Sequence, residues 1–292
     1  MAITLTGEGR LHYFGADQVE SHIIAIAQIT PRLCDKSYNL NLMEQKAIEA
    51  RKKNVEFIIF PELSLTGYLC HDLFHQLSES LDGESVRRVC NIARQNSMTV
   101  IFGMPTQGDV KGVIYNSSVM VGEDGEVKCY NKAYLPTHSV FDEKRYFRPG
   151  YEIDCFKSRG CKVGLTICYD IYFPEIYRLL SLKGAEFIIC TSASPSSRRE
   201  YFELLTRARA IENSVFLIFV NRVGIENGLH FWGGSHIVSP NGSILAKAPY
   251  YEEKLLIFNL DLKEIERSRP FIPTLKDIRP EILETQTDLL RR

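Results

Sequence analysis

The sequence predicts an α/β protein in which mixed β-sheets are covered by helices, and three observations predict it. Short apolar runs alternate with segments whose apolar residues recur at helical spacing. Two hairpins, marked by Asp-Gly and Asn-Gly turns, interrupt that alternation and rule out a purely parallel, doubly wound sheet. No Gly-, Pro- or Ser-rich linker, internal repeat or low-complexity tract divides the 292 residues, so one large domain accommodates them.

The elements follow in order. HIIAIAQI (22–29) reads as a strand, and NLNLMEQKAIEARKKN (39–54), rich in helix formers, as a helix. VEFIIF (55–60) is a strand, SLDGESVRRVCNIARQNS (80–97) a helix and MTVIFG (98–103) a strand. VIYNSSVMVG and EVKCYNKAYL flank the turn GEDGE as a hairpin. KVGLTIC (162–168) is a strand, PEIYRLLSLKG (174–184) a helix with Gly at its end, and AEFIIC (185–190) a strand. REYFELLTRARAIENS (199–214) is an amphipathic helix before the strand VFLIFVNRVG. GSHIVSP-NGS-ILAKAP forms the second hairpin, and KLLIFNLDL is the last strand. Residues 1–21 read as an N-terminal extension, 22–262 as the domain and 263–292 as a C-terminal arm. The arm's spaced prolines predict an extended segment packed on another surface, such as that of a neighbouring subunit.

Composition bounds the function. With 45% hydrophobic and 24% charged residues, the chain can bury a sizeable core. A formal net charge of −1 and no basic run interleaved with aromatics argue against nucleic acid or an anionic membrane as partner. The N-terminus lacks a signal-peptide pattern and runs such as VFLIFV are too short to span a bilayer, so a soluble, cytoplasmic protein is expected. The eight cysteines include no C-x-x-C pair and read as reduced thiols without a structural zinc site.

Three chemically different side chains sit at strand ends, where α/β proteins place active sites. Glu62 lies one residue past a proline in FPELSLTGY, Lys132 lies in NKAYLPT and Cys168 ends KVGLTIC. Taken singly, each has a bland explanation: a cap or surface carboxylate, a solvated lysine, a small core thiol. Taken together they form a working set. A lysine beside a thiol stabilises its thiolate, a carboxylate can take the thiol proton and later activate water, and the helix start after Cys168 favours negative charge. A buried carboxylate also needs the partner that Lys132 offers.

FPELSLTGY, NKAYLP and GLTICYDIYFPE, in this order, strongly resemble the carbon–nitrogen hydrolase, or nitrilase, superfamily, over roughly residues 22–262. The resemblance implies a four-layer α-β-β-α sandwich, homodimers or larger homo-oligomers, and no metal or organic cofactor. It implies Glu62 as general base, Lys132 as transition-state stabiliser and Cys168 as nucleophile, with the backbone N–H of Tyr169 helping to hold the oxyanion. Glu143, in VFDEKRYFRPG, matches a second glutamate that the family keeps near its nucleophile; on residue type alone it reads as part of a solvated charge cluster. The implied substrate is a small molecule with a non-peptide C–N bond, cleaved through a cysteine thioester.

FPELSLTGYLCHDLF and VFDEKRYFRPG look most like the glutaminase domain of glutamine-dependent NAD synthetase. That likeness favours a small, glutamine-like primary amide and release of ammonia. No P-loop or SGG-x-DS phosphate loop is present, so NAD synthesis by this chain is not expected, and a separate ammonia-accepting synthetase is left open. N-carbamoyl or nitrile hydrolysis, or an idle scaffold of the same fold, are the alternatives. A redox role for Cys168 would need a resolving cysteine, and Cys161 lies too far along the same strand. Tyr68, Tyr169, His71 and Ser194 are the candidate substrate contacts, Ser194 and Ser196 being in a loop that is otherwise ordinary turn chemistry. His71 and His75 lack a third metal ligand, and Trp232 fits either site or core.

Overall fold

The computed structural model describes residues 21–292; the N-terminal extension lies outside the described residues except for Ser21, which opens the first strand. The first half of the chain contains β1 (Ser21–Gln28), α1 (Lys36–Arg51), β2 (Phe57–Ile59), α2 (Phe74–Leu77), α3 (Glu84–Asn96), β3 (Thr99–Gln107), β4 (Ile114–Val121), β5 (Val127–Asn131) and α4 (Glu143–Tyr146). The second half contains β6 (Cys155–Ser158), β7 (Cys161–Ile167), α5 (Pro174–Leu182), β8 (Phe187–Ser192), α6 (Arg199–Asn213), β9 (Phe216–Asn221), β10 (Val223–Glu226), β11 (Leu229–Trp232), β12 (His236–Val238), β13 (Ile244–Lys247), β14 (Lys254–Asp261), α7 (Lys263–Ser268) and α8 (Pro280–Leu290).

Two mixed six-stranded sheets result, ordered β14-β1-β2-β3-β4-β5 and β13-β12-β9-β8-β7-β6, with β10-β11 as a separate hairpin. The central trios β1-β2-β3 and β7-β8-β9 are parallel, and the flanking pairs are antiparallel. Side-chain alternation builds the layers. Ile24, Ile26, Phe57, Ile59 and Ile101 face the second sheet's Val163, Leu165 and Phe187. Their neighbours Ala25, Ala27, Ile58, Val100 and Phe102 face Met43 and Ala47 of α1 and Val86, Val89 and Ile92 of α3. Ile176, Tyr177 and Leu180 of α5 and Phe202 and Ala210 of α6 pack on the second sheet. The rings of Phe57 and Phe187 meet edge-on between the sheets at 5.5 Å. Helices, sheet, sheet, helices: this is the four-layer sandwich. Because both faces of each sheet are covered, the central strands read as continuous apolar runs.

Three readings change. β7 stops at Ile167, and Cys168 begins a short 3-10 turn instead of ending the strand. VFLIFVNRVG does not run on as one strand: it breaks at Arg222, and Val223 starts the β10–β11 hairpin. The C-terminal arm is not extended throughout, since it contains α7 and α8. Pro280 occupies the first turn of α8, where the missing N–H has no intrahelical partner to lose. Among the described residues, no helix is long and apolar enough to cross a membrane, and no group of three or more His, Cys, Asp and Glu is placed to hold a metal ion.

A buried histidine ties β12 to α6. His236 Nδ1 donates to the Gly234 carbonyl at 2.7 Å, so in the neutral ring Nε2 accepts from the Thr206 hydroxyl at 2.8 Å. Burial depresses the His236 pKa to about 4. Below the usual histidine value the unfolded chain binds a proton that the folded chain refuses, so stability is lost as pH falls from about 6.5 towards 4. Urea unfolding across that window should show a slope near 1.4 kcal/mol per pH unit from this group. His236→Gln should flatten the slope by that amount; an unchanged slope would refute the assignment.

Candidate active site

The carboxyl ends of β2, β5, β7, β8 and β9 lie on one edge of the paired sheets, and the residues just after them supply the site. The chain turns sharply after β2, with Leu63 at φ 49°. Gly103 on β3 allows it: a Cβ there would stand 2.2 Å from the Leu63 nitrogen. The turn is held by the Leu65 N–H donating to the Gly103 carbonyl at 3.0 Å and by the Ser64 hydroxyl accepting from the Gly103 N–H at 3.1 Å. Glu62 is thereby fixed at the sheet edge, wholly buried.

Lys132, immediately after β5 and equally buried, bridges two carboxylates. Its Nζ donates to Glu62 Oε1 and to Glu143 Oε1, each at 2.7 Å. Glu62 also accepts from Asn116 Nδ2 at 2.8 Å and, through Oε2, from the Ala193 N–H at 2.8 Å. Glu143 Oε1 accepts from the Tyr68 hydroxyl at 2.6 Å, while its Oε2 has no partner among the described residues. Burial opposes the charge on Lys132, but Glu143 and Glu62 outweigh it and hold the ammonium above its ordinary pKa. Burial likewise pushes Glu143 up to about 7, against the pull of Lys132.

Cys168 sits beside this chain of charges at φ 45°, a conformation that costs a non-glycine residue roughly 1–2 kcal/mol. Asp170 stabilises the turn. It accepts from the Ile167 N–H at 2.9 Å, the Tyr134 N–H at 3.0 Å and the Tyr130 hydroxyl at 2.8 Å. One carboxyl thus joins the Cys168 turn to the loop that follows Lys132. Burial and the Glu62 charge raise the Cys168 pKa well above its ordinary value, with Lys132 opposing them. That direction opposes the standing thiolate that the sequence chemistry favours.

Cys168 opens onto a cavity of about 130 Å³ walled by Phe141, Tyr169, Tyr172, Pro195, Arg198 and Phe202, among others. Of the predicted substrate contacts, Tyr169 lines this cavity. Tyr68 and His71 line a neighbouring one of about 30 Å³ together with Glu143. Ser194 is committed internally: its hydroxyl accepts from Trp232 Nε1 at 3.2 Å and its N–H donates to Asn221 Oδ1 at 2.8 Å. That bond also places Trp232 in the core, where it stacks on Phe219. Sequence reasoning missed Asn116, Asp170 and Arg198; only Asp170, two residues from Cys168, gave a positional hint.

Residues 23–270 match the carbon-nitrogen hydrolase family. An (R)-stereoselective amidase from Pseudomonas sp. is 34% identical, over 91% of this chain and 94% of its own. The glutamine-dependent NAD(+) synthetase of Acinetobacter baylyi is 31% identical over 94% of this chain but only 51% of its own length, so the likeness covers about half of that enzyme. A carbon-nitrogen hydrolase from Helicobacter pylori G27 superposes with a TM-score of 0.85 at 27% identity, covering 94% of this chain and 99% of its own. A mutant amidase from Nesterenkonia sp. AN1 (TM-score 0.79, 28% identity, 90% of this chain and 96% of its own) shows covalent addition of the acetamide moiety of fluoroacetamide at the active site cysteine.

The charge arrangement predicts opposite behaviour for two variants. Lys132→Met removes the counter-charge of buried Glu62 and lets Glu143, already pushed up to about 7, take a proton, and it should lower the unfolding free energy by about 3–5 kcal/mol at neutral pH. Cys168→Ala removes a small thiol from a strained turn and should cost less than about 2 kcal/mol. Equal losses in chemical denaturation would contradict the bridging role of Lys132.

Proposed function

The chain belongs to the carbon–nitrogen hydrolase family, and on that premise we propose that it is a thiol amidase releasing ammonia from a small primary amide. The observation that carries the proposal is the buried Glu62–Lys132–Glu143 chain beside Cys168 at the mouth of a small cavity. In this reading the neutral thiol is activated as it attacks. Sγ bonds to the amide carbon while its proton passes to Glu62. The carbonyl oxygen takes up the electron pair and is held by the Lys132 ammonium and the Tyr169 backbone N–H. Collapse of that intermediate breaks the C–N bond, and ammonia leaves with the proton from Glu62. Water then attacks the thioester, giving its proton to Glu62, and the departing Cys168 sulfur recovers it. Glu143, anchored by Tyr68, keeps Lys132 aimed at the reacting oxygen. The amidase-named relatives and the cysteine adduct of the Nesterenkonia enzyme support this reading.

The test is ammonia release from glutamine, asparagine, aliphatic amides, ω-amides of dicarboxylates, carbamoyl amines and nitriles. Amide turnover should fall roughly 10²–10⁴-fold in Glu62→Gln, and at least as far in Cys168→Ala. Turnover of nitriles or carbamoyl amines alone would overturn the amide assignment. Glutamine as the sole substrate would mark a nitrogen donor to a separate synthetase.

Self-association belongs to the same proposal. No residue of α8 is buried, and Ile282, Leu283, Leu289 and Leu290 are exposed on it. Gln286 of α8 reaches Glu175 of α5 at 3.2 Å, and α5 itself carries the exposed Leu179 and Leu182. A second copy of the chain covers this face. Light scattering should give at least a dimer at micromolar concentration, weakened by Ile282→Lys with Leu289→Lys; a monomeric wild type would dismiss it.

A further inference from the structure

We infer that Cys34 and Cys70 are a thiol pair that a peroxide converts to a reversible disulfide, tying the loop after β1 to the loop that carries Tyr68. The effect on turnover rests on the amidase reading; the bridge itself does not.

The two residues come from different loops and meet at one oxygen. The Cys34 N–H donates to the Thr66 carbonyl at 2.7 Å, and the Cys70 thiol donates to the same carbonyl at 3.2 Å. The Cys70 sulfur also lies 3.5 Å from the Gly67 carbonyl oxygen. The loops touch beyond that point, since a Cβ at Gly67 would stand 3.0 Å from the Leu33 Cα. Leu33 and Cys34 pack on the apolar cluster that contains Tyr68 and Cys70. The Cys34 side chain is a direct hydrogen-bonding neighbour of the Cys70 thiol. Burial first, and that neighbour second, push the Cys70 pKa upwards.

Exposure assigns the roles. Cys34 is partly exposed and Cys70 is buried, so a peroxide meets Cys34 first. The Cys34 sulfur takes one peroxide oxygen, the O–O bond breaks and one water leaves, giving a sulfenic acid. The Cys70 sulfur then attacks the Cys34 sulfur. The S–S bond forms as the S–O bond breaks, and the hydroxyl leaves with the Cys70 proton as a second water. Two thiols are oxidised and one peroxide is reduced to two waters. A dithiol reverses the bridge by exchange. A disulfide holds its sulfurs about 2.05 Å apart, far closer than two unbonded thiols. Bridging therefore draws Cys70 off the Thr66 and Gly67 carbonyls that anchor it. Cys70 lies two residues past Tyr68, whose hydroxyl donates to Glu143 at 2.6 Å. The displacement thus reaches the carboxylate that holds Lys132.

Two measurements test this. In the first, the full chain carrying Cys168→Ala, which keeps the nucleophile out of the chemistry, is treated with hydrogen peroxide, alkylated while unfolded and mapped by mass spectrometry. A linked Cys34–Cys70 peptide that dithiothreitol cleaves is expected. With Cys70→Ala added, dimedone should instead label Cys34 as the sulfenic acid. Cys34 and Cys70 left as free thiols, or Cys34 paired no more often with Cys70 than with other cysteines, overturns the inference whether or not any amide is hydrolysed. The second measurement is ammonia release by the oxidised chain with Cys168 in place. Turnover should fall roughly 10-fold or more, return with dithiothreitol and be spared in Cys34→Ala. A loss that Cys34→Ala shares in full belongs to Cys168 and sinks the coupling of the bridge to Glu143.

Discussion

Lys132 is the constraint on which the site depends. A fully buried ammonium is tolerated only with partners, and it takes two, Glu62 and Glu143, from segments far apart in the chain. Each partner is then obliged to stay where Lys132 needs it. Glu62 is pinned by Asn116 and the Ala193 amide, and Glu143 by Tyr68. The carboxylate from the first sheet accepts an amide from the loop after β8 of the second, so the charge network also sets how the two sheets meet at this edge.

A second buried pair performs the same service one layer out. Arg222 and Glu226 bond to each other across the start of the β10 hairpin, and Arg222 lies over Phe231 at 4.3 Å. Glu226 Oε2 accepts the N–H groups of Tyr68 and Leu69, both at 3.0 Å. The loop that follows Glu62 is thus gripped from the far side, and Tyr68 is aimed at Glu143 as a result. Asp170 does the equivalent for Cys168 and the Lys132 loop. Three further carboxylates, Glu143, Glu226 and Asp170, hold the geometry around Glu62, Lys132 and Cys168 together.

Strand and helix identity was legible because the central strands are apolar runs and the helices are periodic. The ordered motifs around Glu62, Lys132 and Cys168 made the site legible too. Three features were not. α8 hid behind Pro280, since a proline at a helix start looks the same in sequence as a proline that stops one. The start of α3 was the second: the helix begins at Glu84, because Ser80–Gly83 form a tight turn closed by the Gly83 N–H on the Ser80 carbonyl, although the sequence reads as helical from Ser80. Arg198 and Asn116 lie far in sequence from the motifs they join, and strand order within each sheet brings them there: β8 beside β7 carries Arg198 to the cavity, and β4, two strands from β2, carries Asn116 to Glu62. Ser194 shows the converse: its position after a strand suggested the substrate, but Trp232 and Asn221 claim its polar groups.

What distinguishes Cys168 is its surroundings, not an acidic thiol. Burial raises Cys129 and Cys190 to about 11, and it raises Cys168 as well. A search for a depressed thiol pKa would pass over all three. Cys168 alone of these combines a left-handed turn, an open cavity and the electrostatic influence of both a buried carboxylate and a buried ammonium. A neutral thiol suits that setting. A standing thiolate would add a third negative charge to Glu62 and Glu143 against the single charge of Lys132. If the proton moves to Glu62 only as the sulfur attacks, the negative charge passes directly to the substrate oxygen, and Lys132 is already in place to receive it.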